Sequence, residues 1–310
     1  MDALRRYIVR RAAGSILTLL ILVVALFFAL HALGDPVALM LPDGYTAEQY
    51  SALEHELGYD QTLPAQFVDF MQGALHFDFG DSIRRGTPAI ESVLQALPKT
   101  LFLGAFAVLV SLIGIPLGVL AATRPRSWFD TVINSASFAL ISAPNFWIAL
   151  LGIYFFSVKL GVLPTSGFNG YGDFKYLILP GVVLAMNSMA RFIQITRNAV
   201  MEELAKQYVQ TANAKGLGTT TILGLHVFKN ASISVLTVLG DEIASVVNGS
   251  VIMETIFGWP GMGYLMVTAI QQRDLPLVTA TVVSAAALVM VINFIVDMTY
   301  SLVDPRIRFR

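Results

Sequence analysis

The stretch Ala12–Leu33, AAGSILTLLILVVALFFALHAL, contains no Asp, Glu, Lys or Arg. Crossing about 30 Å of hydrocarbon takes ~20 mostly apolar residues at a rise of 1.5 Å each, so this run is long enough to span. Arg5, Arg6, Arg10 and Arg11 precede it, as in a secretory signal. Its apolar part is longer than a signal's core of ~7–15 residues, however, and no A-x-A-like cleavage site follows. Gly34-Asp35-Pro36 closes it as a helix stop. It reads as a retained anchor.

Five further runs of this kind follow: Leu101–Ala122, Val132–Val158, Tyr176–Ala199, Ser232–Ile256 and Leu275–Leu302. The expected fold is therefore all-α and integral to the membrane, with six transmembrane helices. Composition agrees: of 310 residues 55% are hydrophobic and 13% charged, against about 25% charged in soluble domains. Mean hydropathy is +0.68. These values exclude a disordered chain and a nucleic-acid binder, and the absence of Cys excludes a disulfide-stapled scaffold. Lipid is the implied surrounding.

Orientation follows from Lys and Arg rather than from the net charge of −1. Arg5, Arg6, Arg10, Arg11, Arg124, Arg126, Arg191, Arg197, Lys206, Lys215, Lys229, Arg306, Arg308 and Arg310 fall on one side. Arg84, Arg85, Lys99, Lys159, Lys175 and Arg273 fall on the other. Both termini are expected in the cytoplasm. The chain then divides into 1–33, the N-terminus and first span; 34–99, an acidic outer loop; 100–303, the transmembrane core; and 304–310, a cytoplasmic tail. Within the outer loop, Thr46 is spaced to cap a helix with Gln49. Within the core, the cytoplasmic loop 201–231 stands out.

In that loop Val200, Leu204, Tyr208 and Ala212 recur every four residues, which predicts one helical face. Glu202 and Lys206 are spaced as an i,i+4 ion pair. Gly216 and Gly218 break the helix, and Thr219 or Thr220 is placed to cap a second one. A short helix lying across the cytoplasmic surface suits docking into another protein's groove, although a solvated linker has the same composition.

Gln210-Thr211-Ala212 with Gly216, His226 and Lys229 resembles the EAA loop of ABC importer permeases. Tyr208-Val209-Gln210-Thr211-Ala212-Asn213-Ala214-Lys215-Gly216-Leu217 is similar to a run in the dipeptide/oligopeptide permease family. The resemblance extends over nearly the whole chain. It includes Leu57-Gly58-Tyr59-Asp60-Gln61, Phe79-Gly80-Asp81-Ser82, Ser142-Ala143-Pro144 with Phe146, and Asn248-Gly249-Ser250-Val251. Glu254, Phe257, Trp259-Pro260-Gly261-Met262-Gly263, Arg273-Asp274 and Asp304-Pro305-Arg306-Ile307-Arg308 complete it. Gln210 departs from the Glu of the wider superfamily, and Asn213 from the Arg of closer relatives.

The resemblance implies a type I ABC importer permease fold in a bacterial or archaeal plasma membrane. It also implies ATPase coupling through Tyr208, Gln210, Thr211, Ala212, Lys215, Gly216, Leu217, His226 and Lys229. The implied partners are a second related permease, two ABC ATPases and a periplasmic or lipid-anchored solute-binding protein. No phosphate loop G-x-x-x-x-G-K-[ST] occurs in the chain. ATP and Mg would accordingly be bound by the ATPases, and this chain would need no cofactor and catalyse nothing. Solutes of the family range from dipeptides and longer peptides to glutathione, opines, nickel complexes and sugars.

Ionisable residues inside spans are costly and are functional candidates. Asp241 and Glu242 stand near the middle of the fifth run, where related permeases carry an apolar residue and Gln. They are candidates, with Asn187 and Asn248, for a pathway that meets a cationic group. The competing expectation is that they pair with a Lys or Arg of this chain or a partner. Asn187, Asn293 and Asp297 read as interhelical hydrogen-bond formers, and Pro144 as a kink. Glu254, Trp259, Pro260 and Gly261 are candidates for outer docking or gating. Scattered His without Cys gives no metal-ligand spacing. The alternative function is an ion-coupled secondary transporter using Asp241, Glu242 or Asp297.

Overall fold

A computed structural model describes residues 2–32, 34–41 and 44–303, apart from the side chains of 2–4, 39, 219, 233, 237, 241, 244, 247, 248 and 300–303. The Asp304–Arg308 motif lies outside the described residues. In chain order the helices are α1 (Asp2–Ala32), α2 (Pro36–Met40), α3 (Ala47–Glu56), α4 (Leu63–His76) and α5 (Ala89–Ser111). They continue as α6 (Gly114–Thr123), α7 (Trp128–Ser142), α8 (Asn145–Gly152), α9 (Phe174–Leu204) and α10 (Gln207–Ala214). The last are α11 (Thr219–Thr221), α12 (Phe228–Ile256), α13 (Met262–Gln271) and α14 (Leu275–Val303), with π-helical turns at Ile153–Lys159 and Ile222–Val227. Among the described residues no strand forms.

Among the described residues four stretches are long and apolar enough to cross a membrane, and six are reached only if each of two bent pairs is one span. The largest bend, 107°, separates α7 from the segment Asn145–Lys159. The single kinked helix expected over Val132–Val158 is thus two helices. Pro144 lacks an N–H and pushes Ala143 into an extended conformation, so α7 stops and Pro144 becomes the N-cap of α8. Pro116 does not do the same: Ile115 before it stays helical, the break at Leu112–Ile113 is only a turn, and Ala89–Thr123 runs on as one stretch.

The chain divides into two compact units, 1–100 with 260–310, and 101–259. In the first, Ala89, Val93 and Ala96 of α5 form a core with Met262, Leu265 and Ala269 of α13 and Leu277 of α14. The segment 34–99 contributes Met40, Leu53 and Leu57 to a second core with Leu30 of α1 and Leu275 of α14. The Thr46–Gln49 capping box forms as expected. Asp274 is fully buried and accepts from Ser82 Oγ at 2.5 Å, Arg84 N at 3.3 Å and Leu277 N at 3.2 Å. Two widely separated family-like fragments, around Ser82 and Asp274, therefore meet.

In the second unit α9 is the central helix, touched by α6, α7, α8 and α12. Gly114 and Gly118 of α6 lie against Met189–Phe192 and Ile193–Arg197 of α9 so closely that a side chain at either would meet backbone. This is the small-xxx-small packing of membrane helices, where approach of backbones replaces the hydrophobic drive absent in lipid.

Candidate functional site

The loop 201–231 is held from beneath. Val209 and Ala212 of α10 are buried with Ala122, Val200, Ile222, Val227 and Ala231. The predicted line Val200, Leu204, Tyr208 and Ala212 does face this core, Val200 and Ala212 buried and Leu204 and Tyr208 half-buried against it, and Val209 joins it. The line is carried by two helices rather than one, because α9 ends at Leu204 and an extended Lys206 caps α10. For the same reason Lys206 pairs with Glu203, at 2.5 Å, and not with Glu202. That hydrogen bond raises the ammonium's pKa. Tyr208 donates to the other Glu203 oxygen at 2.7 Å, and burial followed by this bond raises the phenol's pKa. Thr219 and Thr220 lie inside the first turn of the next helix rather than before it.

Gly216 ends α10 at φ 79°. Its N–H donates to Asn213 O at 2.9 Å, and Leu217 N–H to Ala212 O at 3.3 Å. This is a Schellman closure, whose left-handed position costs glycine nothing. Gln210, Thr211, Lys215, Gly216 and Leu217 face outward, as do His226 and Lys229 beyond the next turn. Tyr208 is half-buried and Ala212 buried, so these two anchor the surface rather than form it.

Of the two adjacent carboxylates in α12, Asp241's side chain lies outside the described residues, as does that of Asn248. Glu242 is buried and accepts from Ser188 Oγ at 2.5 Å and from Arg191 Nη1 at 3.1 Å. Its charge is matched within the chain. Asp297 likewise accepts from Arg11 Nε of α1 at 2.5 Å, the interhelical role expected of it. Asn187 and Asn293 form no side-chain hydrogen bond among the described residues, contrary to that expectation. Both Glu242 and Asp297 are thus engaged by arginines, and the ion-coupled alternative finds no support.

The outer candidates sit deeper than docking contacts would. Glu254 and Trp259 are buried, and Trp259 stacks on Phe102 (centroids 6.4 Å) and meets Phe168 edge-on at 4.8 Å. Gly258, at φ 56°, turns the chain there, and Phe257 O accepts from Gly167 N at 2.7 Å. Pro260 and Gly261 help line a small cavity of about 110 Å³ with Arg85, Gln95 and Lys99. Among the described residues no cluster could hold a metal.

One buried pair is not signalled by spacing. Arg197 of α9 grips Asp130 at the start of α7 through Nε–Oδ1 at 2.5 Å and Nη2–Oδ2 at 2.9 Å, and Arg126 N also donates to Asp130 at 2.9 Å. It ties the turn Arg124–Ser127 to the central helix. The Gly114-xxx-Gly118 seam, by contrast, is a pattern visible in the sequence.

Residues 114–309 match the model of the family described as binding-protein-dependent transport system inner membrane component, and residues 4–104 match that of its N-terminal region. The chain belongs to this family. The oligopeptide transport system permease protein AppB of Bacillus subtilis (strain 168) is 38% identical, with 98% of this chain and 99% of that protein covered. The dipeptide transport system permease protein DppB of Escherichia coli (strain K12) is 32% identical at the same coverage. Among solved structures, a chain of the MetNI methionine ABC transporter aligns with TM-score 0.56 and 20% identity over 69% of this chain and 96% of that one. A chain of an amino acid ABC transporter aligns with TM-score 0.54 and 19% identity over 70% and 94%. This binding-protein-dependent permease is therefore an inner-membrane transport component with the type I ABC importer fold.

Proposed function

We propose that the chain imports peptides as one half of a translocation pathway, oriented with both termini inside and paired with a second related permease. Two ABC ATPases bind ATP and Mg on its cytoplasmic side, and a periplasmic or lipid-anchored solute-binding protein delivers the peptide outside. The chain itself performs no chemistry. Its task is to turn ATPase closure into a change of access.

The observation that carries the coupling role is the two-sidedness of Gln207–Leu217. Gln210, Thr211, Lys215 and Leu217 are exposed while Val209 and Ala212 are rooted in the core with α6, α9 and α12. A rigid short helix rooted in this way transmits displacement to the spans instead of absorbing it. Gln210 offers an amide where a carboxylate stands in the wider superfamily, so the contact is a neutral hydrogen bond and not an ion pair.

Co-purification with the ATPases tests the reading. Gly216→Val forces a branched side chain into left-handed backbone, and Thr211→Trp adds bulk to the exposed face. Each is expected to lower ATPase recovery and transport-linked hydrolysis at least severalfold. Unchanged assembly together with unchanged coupled hydrolysis would sink the assignment, and so would ATP hydrolysis by the isolated chain.

A further inference from the structure

Helix α9 carries a continuous polar stripe. Asn187, Arg191, Gln194 and Asn198 follow at spacings of four, three and four, which sets them along one narrow face of the helix. Phe192, Ile193, Thr196 and Val200 on the other faces are buried, whereas Arg191 and Asn198 are exposed and Asn187 and Gln194 half-buried. Polar side chains on a membrane helix avoid lipid and face water-filled space or protein.

The stripe is rich in donors that nothing in the chain uses. Arg191 has a side chain 51% exposed and directs only Nη1 to Glu242. Its remaining N–H donors have no partner among the described residues. Gln194 Nε2 is buried without a hydrogen bond, and Asn187 forms none. Glu242, in contrast, has one oxygen on Ser188 and the other on Arg191. The surface therefore presents the free donors of the Arg191 guanidinium and the Asn187 amide, whereas both oxygens of the nearby carboxylate are already taken.

We propose that this stripe, centred on Arg191, recognises the carboxylate of the transported solute, with the amide of Asn187 meeting an adjacent peptide group. The inference rests on the peptide-importer reading above and gives that pathway its ligand chemistry. A guanidinium binds carboxylate through paired N–H donors. Because Glu242 already balances the charge of Arg191, the attraction is moderated, and passage requires binding weak enough for release.

The test uses the complete transporter in proteoliposomes, with ATPases, both permeases and binding protein. Trialanine and trialanine amide are each supplied at concentrations that saturate the binding protein, as fixed by separate titration, so that selectivity arises in the membrane. Wild type is expected to import trialanine ~10-fold faster or more, the factor expected of one charge-assisted hydrogen bond. The double variant Arg191→Gln/Glu242→Gln, which leaves neither charge stranded, is expected to import both at equal rates. If it does not co-purify with its partners, Arg191→Lys replaces it. A single ammonium lacks the fork geometry, and the preference must fall there too. Retention of the full preference in the variant overturns the inference. So does uptake of both peptides by wild type without preference, as expected if a carboxylate of the partner permease covers Arg191. Uptake of neither peptide by wild type overturns the peptide reading and this inference together.

Discussion

Replacing Gly118 by alanine tests the α6–α9 seam directly. The added Cβ would lie 2.6 Å from Ile193 O, 2.8 Å from Thr196 Cβ and 3.1 Å from Arg197 N. Two of these atoms are backbone and cannot rotate away. Ordinary contact begins at 3.4 Å, so relief requires the helices to part by about 0.8 Å, and a gap of that size forfeits roughly a quarter to a half of the dispersion energy across it. Overpacking of this kind costs ~1–3 kcal/mol. Gly104→Ala serves as the control, since its Cβ meets only Val246 Cγ1, at 3.8 Å. There the helical preference for alanine is expected to stabilise by about 0.5–1 kcal/mol. Gly118, inside α6, gains the same preference, so the two variants should differ by the overpacking cost alone, ~1–3 kcal/mol, in reversible unfolding in mixed micelles. If Gly118→Ala proves as stable as Gly104→Ala, close backbone packing does not hold α6 to α9.

Other substitutions probe the buried charges. Arg197→Gln leaves Asp130 buried without its cation and is expected to destabilise by ~3–5 kcal/mol; Asp130→Asn/Arg197→Gln together should cost less than the sum in the same unfolding assay. Asp274→Asn sets an amide N–H against a site where Ser82, Arg84 and Leu277 all donate, at a cost of about 1–3 kcal/mol; a neutral result would refute that network. At His55, the hydrogen bond from the ring to Asp60, followed by the Coulombic attraction of Asp60, raises the imidazole pKa above 6.5. The proton is held more tightly in the folded chain, so the contribution is complete below about pH 6.5 and lost as pH rises through the folded-state pKa. Melting curves of wild type and His55→Gln should therefore separate at acid pH and converge at alkaline pH; an equal gap at all pH values would contradict this.

Several features of the fold are local enough to be legible in residue order. The uncharged run Ala12–Leu33 becomes the main part of α1, the Thr46–Gln49 capping box forms, and Gly216 ends α10 in left-handed backbone. Each depends on residues within a turn or on the simple length of an apolar run. Other features depend on partners far along the chain. Ser82 and Asp274 are both recognisable as family-like fragments, but nothing in either states that they touch. Asp130 and Arg197 look like ordinary cytoplasmic charges until α7 is laid on α9. Pro144 signals a missing donor, whereas the size of the bend is set by what packs on each side. Lys206 has two glutamates at workable spacing, and the end of α9 at Leu204 selects Glu203.

The carboxylates of α12 show why a costly residue is only the beginning of a functional argument. Asp241 and Glu242 are neighbours in sequence, yet successive residues of a helix point about 100° apart, so the environment of one says nothing of the other. Glu242 alone would suggest a pathway selective for cations. Ser188 and Arg191 reverse that sign, because they occupy both carboxylate oxygens and leave the guanidinium half in the open. Arg191, which by position alone only helps to orient the chain across the membrane, thereby becomes the exposed member of the pair. The chemistry a solute meets is that of the group left with unused donors, and here those donors favour an anion.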